Sequence, residues 1–207
     1  MRFPGFVGPS YVSQSPLAAI QRCMNWYVEQ IEVGGEPAQS VLYPTPGCVT
    51  FWADGEAPTE SPVRGMTEQN GRCFSVIGQT LYEVLSDGTN TDWGTVARDN
   101  NPAVFAANVD AGDELFITSG DKGYVYTLST DTLTTEITSG ANQCSFLDGF
   151  FLVLDDATST LKVSGLNDGT TWEASQIAQR TAGSDPWQAM VVVHRDIWLF
   201  GKQTSEV

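Results

Sequence analysis

Basic residues are scarce in this sequence. Its 207 residues hold 3 lysines, 7 arginines and one histidine, His194, against 25 carboxylates, for a net charge of −15. A nucleic-acid surface needs lysine and arginine to meet phosphates, and an anionic membrane surface needs them too. The composition therefore argues against tight nucleic-acid binding and against membrane attachment. Long apolar runs are also missing: none approaches the roughly 20 residues of a membrane span. The opening Met1-Arg-Phe-Pro-Gly-Phe-Val-Gly-Pro-Ser10 lacks the unbroken apolar core of a signal peptide. Four cysteines, at positions 23, 48, 73 and 144, form no C-x-x-C pair and have no nearby histidine, which excludes a zinc site. They read as reduced thiols, mostly core filler, in a protein made in a reducing cytoplasm.

Apolar and aromatic residues are present in quantity: 41% of the chain is hydrophobic and 22 residues are aromatic. That is too apolar for a disordered chain. Twenty glycines among abundant Thr, Ser, Asp and Asn are the composition of short strands joined by tight turns. Residues 1–60 stand apart. They hold seven of the ten prolines, at positions 4, 9, 16, 37, 44, 46 and 58, which predicts extended segments and turns tied down on something else. Within them, Ser15-Pro16 predicts a short helical turn over 16–20, and Asn25-Trp-Tyr-Val28 a strand after it.

From about residue 63 a loose repeat sets in. Gly71-Arg-Cys-Phe-Ser-Val-Ile-Gly78 precedes Thr80-Leu-Tyr-Glu-Val-Leu85 and the turn Ser86-Asp-Gly-Thr89; Asp113-Glu-Leu-Phe-Ile-Thr-Ser-Gly120 precedes Tyr124-Val-Tyr-Thr-Leu128. Two more units start at Asp148-Gly-Phe-Phe151 and Arg195-Asp-Ile-Trp198. Each reads as a turn, an aromatic-rich strand, a short hairpin and an alternating strand. The anchors Phe74, Phe116, Phe151 and Trp198 are 42, 35 and 47 residues apart, near the period of a four-stranded propeller blade of about 40–50 residues. The anchors would fill the space between blades, since one blade cannot cover both its faces. The predicted class is all-β: a β-propeller-like array of short antiparallel sheets, incomplete in this chain, with an extended N-terminal arm. An irregular β-sandwich is the alternative. The expected division is an arm over 1–60 packing on the propeller and blades over 61–207, the last one truncated. Three and a half units are too few to close a ring, so the expectation is the N-terminal portion of a longer propeller.

No catalytic, cofactor-binding or metal-binding residue is predicted. His194 falls in the turn after Met190-Val-Val-Val193, with no serine or cysteine partner pattern. Gly165-Leu-Asn-Asp-Gly-Thr-Thr-Trp172 approximates the sialidase-type Asp-box S-x-D-x-G-x-T-W, with Asn167 where the aspartate is expected. Ser86-Asp-Gly-Thr-Asn-Thr-Asp-Trp93 is a looser echo. Such a box is a structural turn whose side chain caps amides while the tryptophan plugs between sheets. Sialidase chemistry would need an arginine cluster that this chain cannot supply. Asp110/Asp113/Glu114 and Asp155/Asp156 offer oxygen ligands for calcium but lack the spacing of a calcium loop, and read as solvated turn carboxylates.

Phe3-Pro-Gly-Phe-Val-Gly-Pro-Ser-Tyr11, Gln21-Arg-Cys-Met-Asn-Trp-Tyr27 and Tyr43-Pro-Thr-Pro-Gly47 open a series of ordered matches. Pro62-Val-Arg-Gly65, Gly165–Trp172, Ser184-Asp-Pro-Trp187 and Ile197-Trp-Leu-Phe-Gly-Lys-Gln-Thr-Ser-Glu206 continue it. Together they resemble the packaged-DNA stabilisation proteins of podoviruses, the tail accessory or tail nozzle family. The resemblance implies a non-enzymatic virion protein, assembled in the bacterial host cytoplasm and present as a homohexameric ring below the portal and adaptor. It implies contact with a tail needle or plug and with tailspikes or other tail proteins. DNA would pass through the channel unbound during ejection, and no membrane insertion is implied. The alternative reading of the residues is a receptor- or carbohydrate-binding, sialidase-like propeller that stacks aromatics on sugars. A third is a propeller serving as a protein-interaction platform, which would need a ring closed within the chain.

Overall fold

The computed structural model of the protein describes residues 26–31, 39–47, 51, 52, 62–109, 112–180 and 185–207. The chain divides into two compact units, Met1–Val49 and Thr50–Val207. In the first, β1 (Trp26–Ile31) and β2 (Gln39–Pro44) form an antiparallel hairpin in register from Trp26↔Pro44 to Ile31↔Gln39. The strand expected after Asn25 is there. The helical turn expected over 16–20 lies outside the described residues.

The second unit is built of four antiparallel sheets, each a meander in chain order. The first comprises β3 (Val63–Gln69), β4 (Arg72–Ile77), β5 (Thr80–Val84) and β6 (Asn90–Thr95). The second comprises β7 (Val104–Ala107), β8 (Glu114–Ser119), β9 (Lys122–Thr127) and β10 (Thr132–Ile137). The third comprises β11 (Gln143–Leu147), β12 (Phe150–Asp155), β13 (Thr160–Gly165) and the long β14 (Asp168–Gln179). The fourth has three strands, β15 (Ala189–Val193), β16 (Asp196–Phe200) and β17 (Ser205–Glu206). The described residues contain no helix, and the sheets close no barrel.

Turn chemistry sets these meanders. Asn70 and Gly71 (φ 52° and 77°) join β3 to β4, and Asp148 and Gly149 (φ 49° and 91°) join β11 to β12. Both residues of each turn lie in the left-handed region, the geometry that matches strand twist in two-residue hairpins. Successive sheets then stack in order. First strands lie beside first strands (β3 by β7, β7 by β11, β11 by β15), and outer strands beside outer strands (β6 by β10, β10 by β14). This is the arrangement of propeller blades.

The core consists of what lies between the sheets. Strand alternation sends Leu115 and Ile117 of β8 back toward the first sheet, where they meet Phe74, Val76 and Leu81. Phe116, between them in sequence, points forward to Phe151 and Val153 of the third sheet. Leu152 and Leu154 point onward to Met190 and Leu199 of the fourth. Phe74, Phe116 and Phe151 are fully buried, as expected of anchors between blades. Trp198 faces the side of its sheet away from the third sheet. It lies on the outer face of the fourth sheet, 38% exposed, and Leu199 packs against the third sheet instead. One position along a strand changes the face, and the face bearing Trp198 has no sheet over it among the described residues.

A buried cation joins the first sheet to the segment leading into the second. The Arg64 side chain donates from Nε to Asn101 O (2.9 Å) and from Nη1 to Gly78 O (2.9 Å) and Ala97 O (3.0 Å), and it pairs with Asp99. Truncating Phe116 to alanine should cost about 3–5 kcal/mol in urea unfolding, as for other fully buried aromatics. Trp198→Ala, at a half-exposed site, should cost only about 0.5 kcal/mol.

Candidate functional site

Because each sheet is a meander, its turns alternate between two ends, and the stacking aligns those ends across sheets. One end carries the turns after first and third strands. Among the described residues, its turns and their bordering strand positions hold Asp87, Asp113, Glu114, Asp131, Asp148, Asp168 and Asp196 against Arg72 and Arg195. The other end is nearly balanced: Asp99, Asp121, Asp155, Asp156 and Asp185 against Arg98, Lys122, Arg180 and Lys202. Among the described residues, the turns at one end of the stack are thus more acidic than those at the other.

The largest polar constellation at that end centres on Arg72. Its guanidinium makes a two-pronged pair with Glu83 (2.8 and 2.7 Å), then reaches the second sheet at Tyr126 Oη (2.9 Å), Asp131 (2.8 Å) and Leu128 O (3.2 Å). It also lies over the rings of Phe74, Trp93 and Tyr126, at 5.1, 5.8 and 5.7 Å from their centroids. Trp93 Nε1 donates to Glu83 (3.0 Å) and Tyr126 Oη to Asp131 (2.6 Å). The hydrogen bond from Arg72 holds the Glu83 carboxyl below its ordinary value against the opposing effect of burial. Asp131 is lowered by Tyr126 first and Arg72 second. These bonds run from the first sheet to the second, so the constellation is a clamp between sheets. Sequence reading missed it; the available signal was an arginine opening an aromatic strand in a chain with so few.

The Asp-box resemblance describes a real turn with a different carboxylate in charge. Asp168 accepts from Thr170 N (2.8 Å), Thr170 Oγ1 (2.6 Å) and Thr171 Oγ1 (2.7 Å). Asn167, the residue expected to cap, instead occupies the left-handed corner of the turn (φ 52°) and donates its own N–H to Gly149 O. A side chain at that corner points away from the amides that need a cap, and the next residue faces them. Trp172 Nε1 donates to Gly169 O (2.7 Å), and its ring packs on Phe116 with centroids 5.4 Å apart. Gly169 sits tightly against its neighbours, since a Cβ there would meet Val125 and Phe151 at 3.0 and 3.2 Å. The looser echo behaves alike: Asp87 accepts from Thr89 N (2.9 Å) and Oγ1 (2.7 Å), and Trp93 packs on Tyr126.

Glu114 links the second and third sheets by accepting from Gly169 N at 2.7 Å. Burial raises its carboxyl above the ordinary range, and neighbouring Asp168, Asp113 and Glu136 push the same way. Asp113 caps Ser129 through N (2.7 Å) and Oγ (2.6 Å), while Asp110 lies outside the described residues. Asp155 accepts from Ala157 N (3.1 Å) and Thr158 N (3.2 Å). Among the described residues no group of three or more His, Cys, Asp or Glu side chains is placed to hold a metal ion. His194 and Arg195 form the exposed turn between β15 and β16 (φ 50° and 74°), and Arg195 pairs with Asp148 across sheets (2.7 Å). Cys73 and Cys144 are free thiols; Cys144 is buried, which pushes its thiol up to about 12. Cys23 and Cys48 lie outside the described residues.

A family model described as bacteriophage P22 Gp10, β-propeller, matches residues 22–207. No curated protein matches the sequence. Among solved structures, the chain is similar to the Pan2 WD40 domain of Neurospora crassa: 10% identity, TM-score 0.41, covering 58% of this chain and 37% of that one. It is also similar to PorZ, a surface component of the type-IX secretion system of Porphyromonas gingivalis: 12% identity, TM-score 0.48, covering 84% of this chain and 23% of that one. The chain spans less than half the length of either protein.

The two carboxylates oppose each other in acid. Glu83 lies below its ordinary value of 4.5, so its pairing stabilises the fold above that pH and is lost as pH falls further. Glu114 lies above 4.5, so its ionisation costs stability as pH rises through that region. Glu114→Gln should therefore raise the urea midpoint at pH 7 and lose that advantage below about pH 4.5. Arg72→Met should lower stability by about 2 kcal/mol at pH 7, less than for a fully buried pair because Arg72 is partly exposed. Its deficit should shrink in acid as Glu83 is protonated.

Proposed function

The chain belongs to the β-propeller family of bacteriophage P22 Gp10, and from that premise we propose that it forms part of the nozzle ring of a short phage tail. The family makes it a phage structural protein. In the proposed role it sits in the virion below the portal and adaptor as a homohexamer, continues the channel for DNA and holds the packaged genome until ejection. A needle or plug and the tailspikes are its other neighbours.

The observation that carries this reading is the family match over 22–207, on a chain whose described sheets stack in sequence order. The polar groups support a structural task, because the arginines and turn carboxylates are engaged in holding sheets and turns together. The charge supports a channel that does not retain DNA. Six copies at −15 would carry about −90, facing a duplex with roughly one negative charge per 1.7 Å of axis. An acidic end of the stack turned toward the passage repels DNA instead of trapping it.

Negative-stain images of the protein mixed with portal–adaptor complexes test the placement. A ring added below the adaptor is expected, and images without one refute it. For the channel, Asp148→Lys with Asp196→Lys should slow DNA ejection from assembled particles; an unchanged ejection rate removes the repulsion argument.

A further inference from the structure

Two outer strands lose their regular pairing where they face each other. In β10, Thr135 pairs with Tyr124 and Ile137 with Gly123, so Glu136 is an extra residue that bulges from the ladder. In β14, Ile177 pairs with Lys162 and Trp172 with Ser164, so four residues, 173–176, stand opposite Val163 alone. Bulges re-aim side chains, and these two border a groove of about 300 Å³ between the second and third sheets. Ile137, Trp172, Ala174 and Ile177 give it apolar walls, and Glu136 and Glu173 add carboxylates. Both sheets have a neighbour on each face, so the groove belongs to the outer rim between two covered sheets.

The cation that lines the groove is already engaged: Lys162 Nζ donates to Ser139 O (3.0 Å) and Gly140 O (2.8 Å). Glu136, half-buried, and Glu173, exposed, have no hydrogen-bond or ion-pair partner for their carboxylates among the described residues. The Trp172 indole N–H is taken by Gly169 O, which leaves its ring to act as a surface. Two unpaired carboxylates beside an aromatic ring suit a planar cation that donates to both and lays its face on the ring. A neutral ligand would leave both carboxylates without a countercharge. We propose that this groove binds an arginine side chain of a partner protein, the guanidinium between Glu136 and Glu173 and the stem along Ile177. A basic contact of this kind also complements a chain of net charge −15. The inference does not depend on the nozzle reading.

Amide NMR of the 207-residue chain, titrated with the blocked peptide acetyl-Gly-Arg-Gly-amide, tests it. Saturable shifts are expected at the amides of Glu136, Glu173 and Ile177 and at the Trp172 indole, with the millimolar dissociation constant of a single side chain. The citrulline peptide, alike in shape but uncharged, should bind about ten-fold more weakly or not at all. Glu173→Lys, at an exposed position, should weaken the arginine peptide about ten-fold or more, and Glu136→Gln should weaken it too. Asp196→Lys makes the same charge change in the fourth sheet and should leave the affinity within about two-fold. Absence of saturable shifts overturns the proposal, as does equal binding of the arginine and citrulline peptides. Indifference to either glutamate substitution overturns it, and so does an equal loss in Asp196→Lys, which would make the effect one of net charge. Shifts from sucrose with none from the arginine peptide also overturn it and assign the groove to carbohydrate.

Discussion

A β-sheet with large apolar residues on both faces has to be covered on both. The second strands of the second and third sheets are built that way, with Leu115, Phe116 and Ile117 in one and Phe151, Leu152 and Val153 in the other, all nearly inaccessible to solvent. Alternation sends neighbours in sequence to opposite sides, so each of these two sheets draws a partner onto each face. Fully burying one such side chain is worth about 1.5–3 kcal/mol. The stack of sheets is the form this requirement takes, and the alignment of turns at two common ends follows from it.

Charge is arranged within that constraint. With carboxylates outnumbering basic groups, many of the described acids take backbone amides and hydroxyls as partners, capping turns that reverse the strands. Three of the described arginines, Arg64, Arg72 and Arg195, sit where a sheet meets its neighbour or the segment leading to it. Arg64 gathers carbonyls leading into the second sheet, and Arg72 joins a carboxylate of the first sheet to a tyrosine and an aspartate of the second. Such a clamp adds orientation to the non-directional apolar packing. It also makes the interface of the first two sheets sensitive to acid through Glu83, while Glu114 gives the next interface the opposite response.

The strands legible in the sequence were the inner members of each sheet, where apolar and aromatic runs lie between recognisable turns. β4, β5, β8, β9, β12, β13 and β16 fall close to where the repeat places them. The flanking strands, apart from the apolar Ala189–Val193 before the His194 turn, were not legible. Thr132–Ile137 is polar and largely solvent-facing, Asn90–Thr95 is polar and mostly half-buried, and Val104–Ala107 has only four residues, so none carries a strong periodic signal. The turn at Trp172 was visible as a motif, but its capping group was misplaced by one residue because the backbone at Asn167 adopts the left-handed conformation.

By itself the sequence determined the all-β class that the described residues show, where the inner strands and many turns lie, and a net charge of −15. These follow from residue type and short-range spacing. The tertiary structure decided which face of each strand is buried, that Leu199 and not Trp198 meets the third sheet, and that Arg72 reaches across to Asp131, 59 residues away. A strand's period of two offers two equivalent faces, and only the arrival of a neighbouring sheet distinguishes them.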